Sequence, residues 1–443
     1  MSDILDIPEI GGLDSRKSVL RIPPELDVPL TPRVRRLIDT PEFRRLNQIS
    51  QLGLVSLVYP AAGHTRFEHS LGVYRLALLF LRRLAHDERF RQSVTAADAE
   101  RFLVAALLHD LGHWPFCHPI EDMDLVAVPS HELFVNRFLL EGEIADVLRD
   151  DWEIPPREVI ALLGEEPHDR APRILTSMLS GPVDIDKMDY LFRDSLHAGV
   201  PYGRNFDHQR LIGSLCLNEQ GDGLAITDKG KTAAEMMVFA RYVMFSEVYW
   251  HHGVRAATAM LQRAFYLLHG QLDLDALLRL TERAMITELE EAAGDSPAAE
   301  LLGGLWGPRR RLYKRLAQYN FLEHPTLHKR LARRPYPWLV ACAEQLAAAA
   351  STTLGRVVAP HEILIDAPPV HREVEFDVAV YFPKQDCYRR LDEVSPVVRT
   401  LARDQFDDYV KRVRIFAHPR VVDDLRRVDR LDELVEQAID RTE

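Results

Sequence analysis

A helical core followed by a small α+β C-terminal region is the fold that this 443-residue sequence predicts. Three observations carry that reading. Apolar residues recur at helical spacing through Leu71, Tyr74, Leu78 and Leu81. The pairs Thr31-Pro32 and Thr40-Pro41 each supply a capping hydroxyl and then a proline suited to a first helical turn. Past about residue 355 the period shortens to two, and Val374-Glu-Phe-Asp-Val-Ala-Val-Tyr381 alternates as a half-buried strand does.

Taken in order, residues 1–30 read as irregular, apart from a strand-like Ser18-Val-Leu-Arg-Ile22 that Pro23-Pro24 ends. Helices are expected to open at Thr31 and Thr40, and a longer one to run from Phe67 to about Leu84. Thr95 caps the next, which extends to Asp110, and Ser130 caps another over His131 to Leu140. Asp184 to Asp194 forms a helix with Asp186, Tyr190 and Asp194 four apart on one face, a polar and aromatic stripe that suits a pocket wall. Leu215 to Ile226 reads as a hairpin around Gly221-Asp-Gly223, and Lys231 to Leu268 as a long helical stretch. Residues 276–350 continue helical. In the α+β region, 351–443, Val413-Arg-Ile-Phe416 is a second strand and Leu431 to Ile439 a closing helix. The expected division is 1–30, a core over 31–275, a helical extension over 276–350, and 351–443.

Composition is that of a globular protein with a large core. Its apolar runs are too short to span a bilayer, and the acidic N-terminus lacks the features of a signal peptide. Four dispersed cysteines with no CxxC pair indicate neither a disulfide framework nor a zinc ribbon, so a cytoplasmic protein is expected. A net charge of −12 argues against coating nucleic acid, but allows a phosphate ligand in a local basic pocket.

The chemistry concentrates in three segments: His69 in His64-Thr-Arg-Phe-Glu-His69, the pair His109-Asp110, and Asp186 in Asp184-Ile-Asp186-Lys-Met-Asp-Tyr. His109-Asp110 ends the apolar run Phe102 to Leu108, where both side chains cost desolvation unless something pairs with them. A divalent metal is the natural partner of imidazole with carboxylate. His113, His118 and His131 follow closely, so four of the eighteen histidines lie between 109 and 131. Titratable groups gathered at a buried helix end mark a site.

These segments resemble the HD-domain phosphohydrolases, most closely the deoxynucleoside triphosphate triphosphohydrolase branch. The similarity covers about residues 31 to 265 and rests on Leu37-Ile-Asp-Thr-Pro-Glu-Phe43, Gln51-Leu-Gly53, Arg66-Phe-Glu-His-Ser-Leu-Gly72, His109-Asp-Leu-Gly-His113 and Asp184 to Asp194. It implies an HD-domain helical core, with His69, His109, Asp110 and Asp186 binding a divalent metal: Mn, Fe, Mg, Zn or Ni. It implies that Arg66, His118 and Lys187 contact phosphates, with Asp184 near the same site. Gln51 and Asp194 would reach the sugar 3′-hydroxyl, Tyr190 would pack under the sugar, and Leu52 would help form the nucleoside pocket. His113, Glu121 and His131 match the proton-transfer group, although Glu121 replaces an aspartate. Tyr249, His251 and Arg255 are the choices on the helix after Lys231, where the base-contacting tyrosine and glutamine of the animal enzyme are missing.

The reaction so implied is attack at the α-phosphorus, releasing deoxynucleoside and tripolyphosphate. The resemblance also implies a homo-oligomer, a dimer or tetramer, and allows a nucleotide activator. Asp39 matches the activator-binding aspartate, while Arg44 and Asn47 stand where the family has other residues. Two alternatives compete: a phosphohydrolase for another nucleotide or a nucleic acid end, and a nucleotide-sensing scaffold without turnover. Three phosphate-contact residues favour a polyphosphate over a monophosphate, and ligands kept in three segments favour an enzyme over a scaffold.

Overall fold

The computed structural model describes residues 3–164, 166–369, 377–402 and 410–443. Helices dominate, gathered on one continuous apolar core, with small sheets at the margins. Among the described residues no helix is long and apolar enough to cross a membrane.

The N-terminal segment is more regular than its sequence suggests. β1 (Val19–Ile22) pairs antiparallel with β2 (Leu26–Pro29) around Pro23-Pro24. Four residues ending in proline give β2 too little alternation to be read. α1 (Pro32–Ile38) and α2 (Pro41–Arg45) begin at the threonine-proline pairs, where Thr31 Oγ1 accepts from the Val34 amide and Thr40 Oγ1 from that of Phe43, both at 3.4 Å.

Two buried helices form the centre. α3 (Arg66–Leu84) is capped by Thr65, and α4 (Ala96–Leu108) by a reciprocal Thr95–Asp98 box. After α4 the chain turns through Gly112 to α5 (Cys117–Glu121). The helix expected over His131–Leu140 is two short pieces, α6 (His131–Phe134) and α7 (Asn136–Leu139), joined through Val135. α8 (Ile185–Ala198) is capped by Asp184, and both it and α4 pack on α3.

β3 (Leu215–Leu217) and β4 (Leu224–Thr227) are the expected hairpin. The long stretch from Lys231 is not one helix. α9 (Lys231–Met244) widens into a π-turn, Phe245–Tyr249, and α10 (His252–Leu268) starts anew. His251 takes extended backbone there, and its Nδ1 accepts from the Gly253 amide at 3.1 Å, so the side chain serves as a helix cap. α11 (Pro297–Trp306) packs on α10.

Next comes β5 (Lys314–Tyr319), a strand that its sequence, Lys-Arg-Leu-Ala-Gln-Tyr, does not announce and that pairing imposes. α12 (Tyr336–Leu354) precedes β6 (Ile363–Asp366), β7 (Ala379–Phe382), β8 (Cys387–Arg390) and β9 (Val413–Ala417). β9 lies between β5 and β6, antiparallel to both, while β7 pairs parallel with β4 and antiparallel with β8. The alternation expected over Val374–Tyr381 lies partly outside the described residues. α13 (Leu431–Thr442) closes the chain against α12.

Candidate metal centre and reaction cavity

Three elements bring the four expected ligands together. His69 sits in the first turn of α3, His109-Asp110 follow the end of α4, and Asp186 lies in the first turn of α8. His69 Nδ1 is 2.8 Å from Asp189 Oδ2, and His109 Nδ1 is 2.9 Å from the Ala106 carbonyl. Each Nδ1 is therefore the donor nitrogen, which leaves both Nε2 atoms carrying lone pairs. Those two atoms face one another at 3.2 Å, and Asp186 Oδ1 lies 3.1 Å from the first and 3.7 Å from the second. Asp110 oxygens stand 3.5 Å from His109 Nε2 and 3.8 Å from His69 Nε2.

Two imidazole lone pairs and two carboxylates aimed at one point repel unless a positive charge sits among them. The donor set fits a divalent ion. Burial opposes the imidazolium form of His69, but the carboxylates of Asp186 and Asp189 outweigh it and hold the pKa up to about 10. Burial likewise opposes ionisation of Asp110, yet Arg66 and the two histidines hold its carboxyl far below the usual range. Asp186 is held down in the same way by His109 and His69.

Beside the ligands lies a second group. His113 Nδ1 is 3.2 Å from Asp110 Oδ1, and its ring centroid is 3.9 Å from that of His131. His131 Nδ1 meets Glu121 at 2.9 Å, and its backbone amide donates to the same carboxylate at 2.7 Å. Burial, then Arg66 and His131, keeps His113 neutral, well below its ordinary pKa. Burial works against protonated His131 too, but Glu121 outweighs it and raises the pKa. Gly112 makes this approach feasible, since a Cβ there would overlap the His131 carbonyl and the Val135 amide. Cys117, not singled out from the sequence, joins His113 and His131 in a group whose donor atoms could also hold an ion.

One cavity of about 690 Å³, a size suited to a nucleotide-sized ligand, is lined by His109, Asp110, Asp186, His113 and His131 together with most of the expected substrate contacts, while His69 and Glu121 stand behind its wall. Arg66 lines it but is 3% exposed and donates to Asp110 Oδ2 at 2.8 Å. Lys187 Nζ rests on Asp184 Oδ2 at 2.6 Å, while fully buried Asp184 caps α8 behind it and does not line the cavity. The His118 side chain is 62% open, yet open into the cavity and ringed by protein, so burial and then Arg66 push its pKa down to about 4.

Gln51, Leu52, Tyr190, Asp194 and Tyr249 line the same cavity. Asp194 is clamped from two sides: Tyr249 Oη donates to Oδ2 at 2.5 Å, and His64 Nε2 meets Oδ1 at 2.9 Å. The π-turn carries Tyr249 into that position. His251 does not line the cavity, because its ring caps α10 and meets Tyr59 edge-on. Arg255 does line it, but its guanidinium is held by Asp366 of β6 at 2.6 Å and stacks 3.9 Å over Trp250. Asp122, and Lys411 and Pro369 from the C-terminal region, complete the lining.

The sequence reading overlooked His64, Glu68, Asp189, Arg193 and His197. Arg193 donates from Nε and Nη2 to Asp189 at 2.8 and 2.7 Å and from Nη1 to Glu68 at 2.7 Å. Glu68 meets His197 at 2.9 Å, and the His197 ring stacks on His64 at 4.4 Å. The i,i+4 pair Asp189–Arg193 was a visible signal, but an exposed helical ion pair reads the same way.

Comparison with known proteins agrees with this layout. A family model for the HD domain matches residues 66–193, and one for the HD-associated region matches residues 206–432. An uncharacterized protein of Methanocaldococcus jannaschii is 29% identical over 418 residues, 93% of this chain and 82% of that protein. The deoxynucleoside triphosphate triphosphohydrolase SAMHD1 of Gallus gallus is 28% identical over 342 residues, which are 66% of this chain and 54% of SAMHD1. The chain thus spans about half the length of that relative. A hypothetical protein from Aquifex aeolicus has a crystal structure that superposes with a TM-score of 0.68 at 28% identity, covering 90% of this chain and 96% of that one.

Proposed function

Because the chain belongs to the family of HD-domain proteins that carry the HD-associated region, we propose that it hydrolyses deoxynucleoside triphosphates to deoxynucleoside and tripolyphosphate. The observation that carries this reading is the opposition of the two Nε2 atoms, flanked by two carboxylates, beside a cavity also lined by Tyr190 and the clamped Asp194. The likeness to the triphosphohydrolase SAMHD1 supports the choice of nucleotide.

His69, His109, Asp110 and Asp186 would hold the divalent ion. When bound, it supplies Lewis-acid polarisation and stabilises negative charge developing on a phosphoryl oxygen. Arg66 and Lys187 would offset the charge of the polyphosphate, Lys187 swinging from Asp184 to do so, while His118 contacts it as a neutral hydrogen-bond donor. Tyr190 packs against the deoxyribose face, and Asp194, fixed by His64 and Tyr249, accepts from the sugar 3′-hydroxyl, with Gln51 beside it. Protonated His131 would store the proton that neutral His113 passes toward the departing 5′-oxygen, while water becomes bonded to the α-phosphorus and the bond to that oxygen breaks; the proton shed by that water goes to solvent, from which His131 is reprotonated. A homo-oligomer and a nucleotide activator belong to the same reading.

The test incubates the purified protein, with Mn or Mg, with the four dNTPs and the matching NTPs, singly and mixed, and resolves products by anion exchange. Tripolyphosphate from dNTPs, absent in His109→Ala, is expected. Turnover in mixtures alone would reveal activation. Nucleoside monophosphate with pyrophosphate, or turnover unchanged in His109→Ala, would overturn the reading.

A further inference from the structure

His69 is 1% exposed and is the one proposed ligand whose second ring nitrogen bonds a side chain, since that of His109 bonds a backbone carbonyl. A backbone carbonyl in a helix is fixed by the fold, whereas a carboxylate must itself be aimed. Asp189 receives three donors: His69 Nδ1 and Arg193 Nε both reach Oδ2 at 2.8 Å, and Arg193 Nη2 reaches Oδ1 at 2.7 Å. The arginine is in turn held by Glu68 at 2.7 Å and by the Pro23 carbonyl of the β1–β2 turn at 3.3 Å. Neither Asp189 nor Arg193 lines the reaction cavity.

Room for this pair exists because residue 72 is glycine. A Cβ at Gly72 would overlap the Asp189 carboxylate and the Arg193 guanidinium, both pressed against the face of α3 one turn past His69. We propose that Asp189 and Arg193 are positioning residues for the metal centre. Asp189 fixes the His69 tautomer so that Nε2 presents its lone pair, Arg193 aims Asp189, and Gly72 is the gap that admits them. Hydrogen-bond partners of this kind orient a ligand ring and raise its basicity, and their loss typically weakens metal binding about 10–100-fold. The Glu68 contact extends the frame to His197, whose ring stacks on the His64 that clamps Asp194. The metal ligand and the proposed sugar contact thus hang from one buried arginine.

This inference rests on the metal reading of the four ligands, and the experiment separates the two. Metal-stripped protein is titrated with MnCl2 by equilibrium dialysis, for the wild type and for Asp189→Asn, Gly72→Ala and Glu68→Gln, with circular dichroism to monitor the fold. Asp189→Asn and Gly72→Ala are expected to bind Mn about 10–100-fold more weakly with an unchanged helical spectrum. Glu68→Gln, which leaves Asp189 on His69, is expected to stay within about 3-fold, since it breaks no contact of the ligand itself. Excess Mn should restore kcat in Asp189→Asn, as a packing defect alone would not allow. Should Gly72→Ala fail to fold, the isosteric Asp189→Asn carries the test. Wild-type Mn affinity in Asp189→Asn would overturn the proposal, and so would a loss of turnover that excess Mn does not restore. No Mn binding in the wild type would instead overturn the metal reading on which it rests.

Discussion

At the scale of single residues, the division of labour between His113 and His131 comes from their partners. Both rings are shielded from bulk water, but at His131 the Glu121 carboxylate outweighs burial, whereas at His113, although Asp110 lies 3.2 Å away, Arg66 and the neighbouring histidines add to it. The His131 pKa therefore lies above its ordinary 6.5, and that of Glu121 below its ordinary 4.5, where His131 outweighs the burial that would raise it. The pair contributes its full stability between those two ordinary values. Above them the contribution fades as pH climbs through the raised His131 pKa, and below them as pH falls through the lowered Glu121 pKa. Glu121→Gln removes the counter-charge, so His131 should lose its proton at lower pH and the alkaline limb of the kcat–pH profile should move toward acid. A limb that stays in place would assign the proton elsewhere. The sequence named all three residues through a resemblance, but their protonation follows from distances that only the folded chain has.

Among the elements, the caps were legible and the joints were not. Thr31, Thr40, Thr95, Ser130 and Asp184 all stand at the helix starts expected of them, because capping is a local bargain between one side chain and the next turn. β5 and the break at Trp250-His251 are set by partners far along the chain. Arg255 shows the consequence: expected as a substrate contact, it lines the cavity and also ties α10 to β6 through the buried Asp366. Removing one partner of such a pair leaves a buried charge uncompensated, a loss of about 3–5 kcal/mol. Asp366→Ala should therefore lower the unfolding free energy by that much, read from the midpoint and slope of urea denaturation against wild type. A shift below about 1 kcal/mol, the range of an exposed pair, would mean that the guanidinium finds another partner.

For the molecule as a whole, the cavity is shared property. The four proposed ligands come from α3, the end of α4 and α8, and the cavity beside them takes its lining from α8, the π-turn, Pro369 and Lys411 among others. An ion bound among three helices stabilises all of them at once, because the unfolded chain has no such site. Mn at about a hundredfold excess over its Kd should add about 2.7 kcal/mol and raise the Tm, and His109→Ala should abolish the rise. A Tm indifferent to Mn and to chelator would argue against metal binding at this centre. The sequence by itself determined the helical core, its caps and the His109-Asp110 pair at a buried helix end, since hydropathy period, capping hydroxyls and that pair act over a few neighbouring residues, while the four proposed ligands were named through a resemblance. Only the tertiary structure decided the ring tautomers, the Asp189–Arg193 contact, the tie of Arg255 to Asp366, the turning of His251 out of the cavity, and the seat of Tyr249. Each of those depends on which distant group arrives within hydrogen-bond reach, and pairing across a hundred residues leaves no periodic mark on the chain.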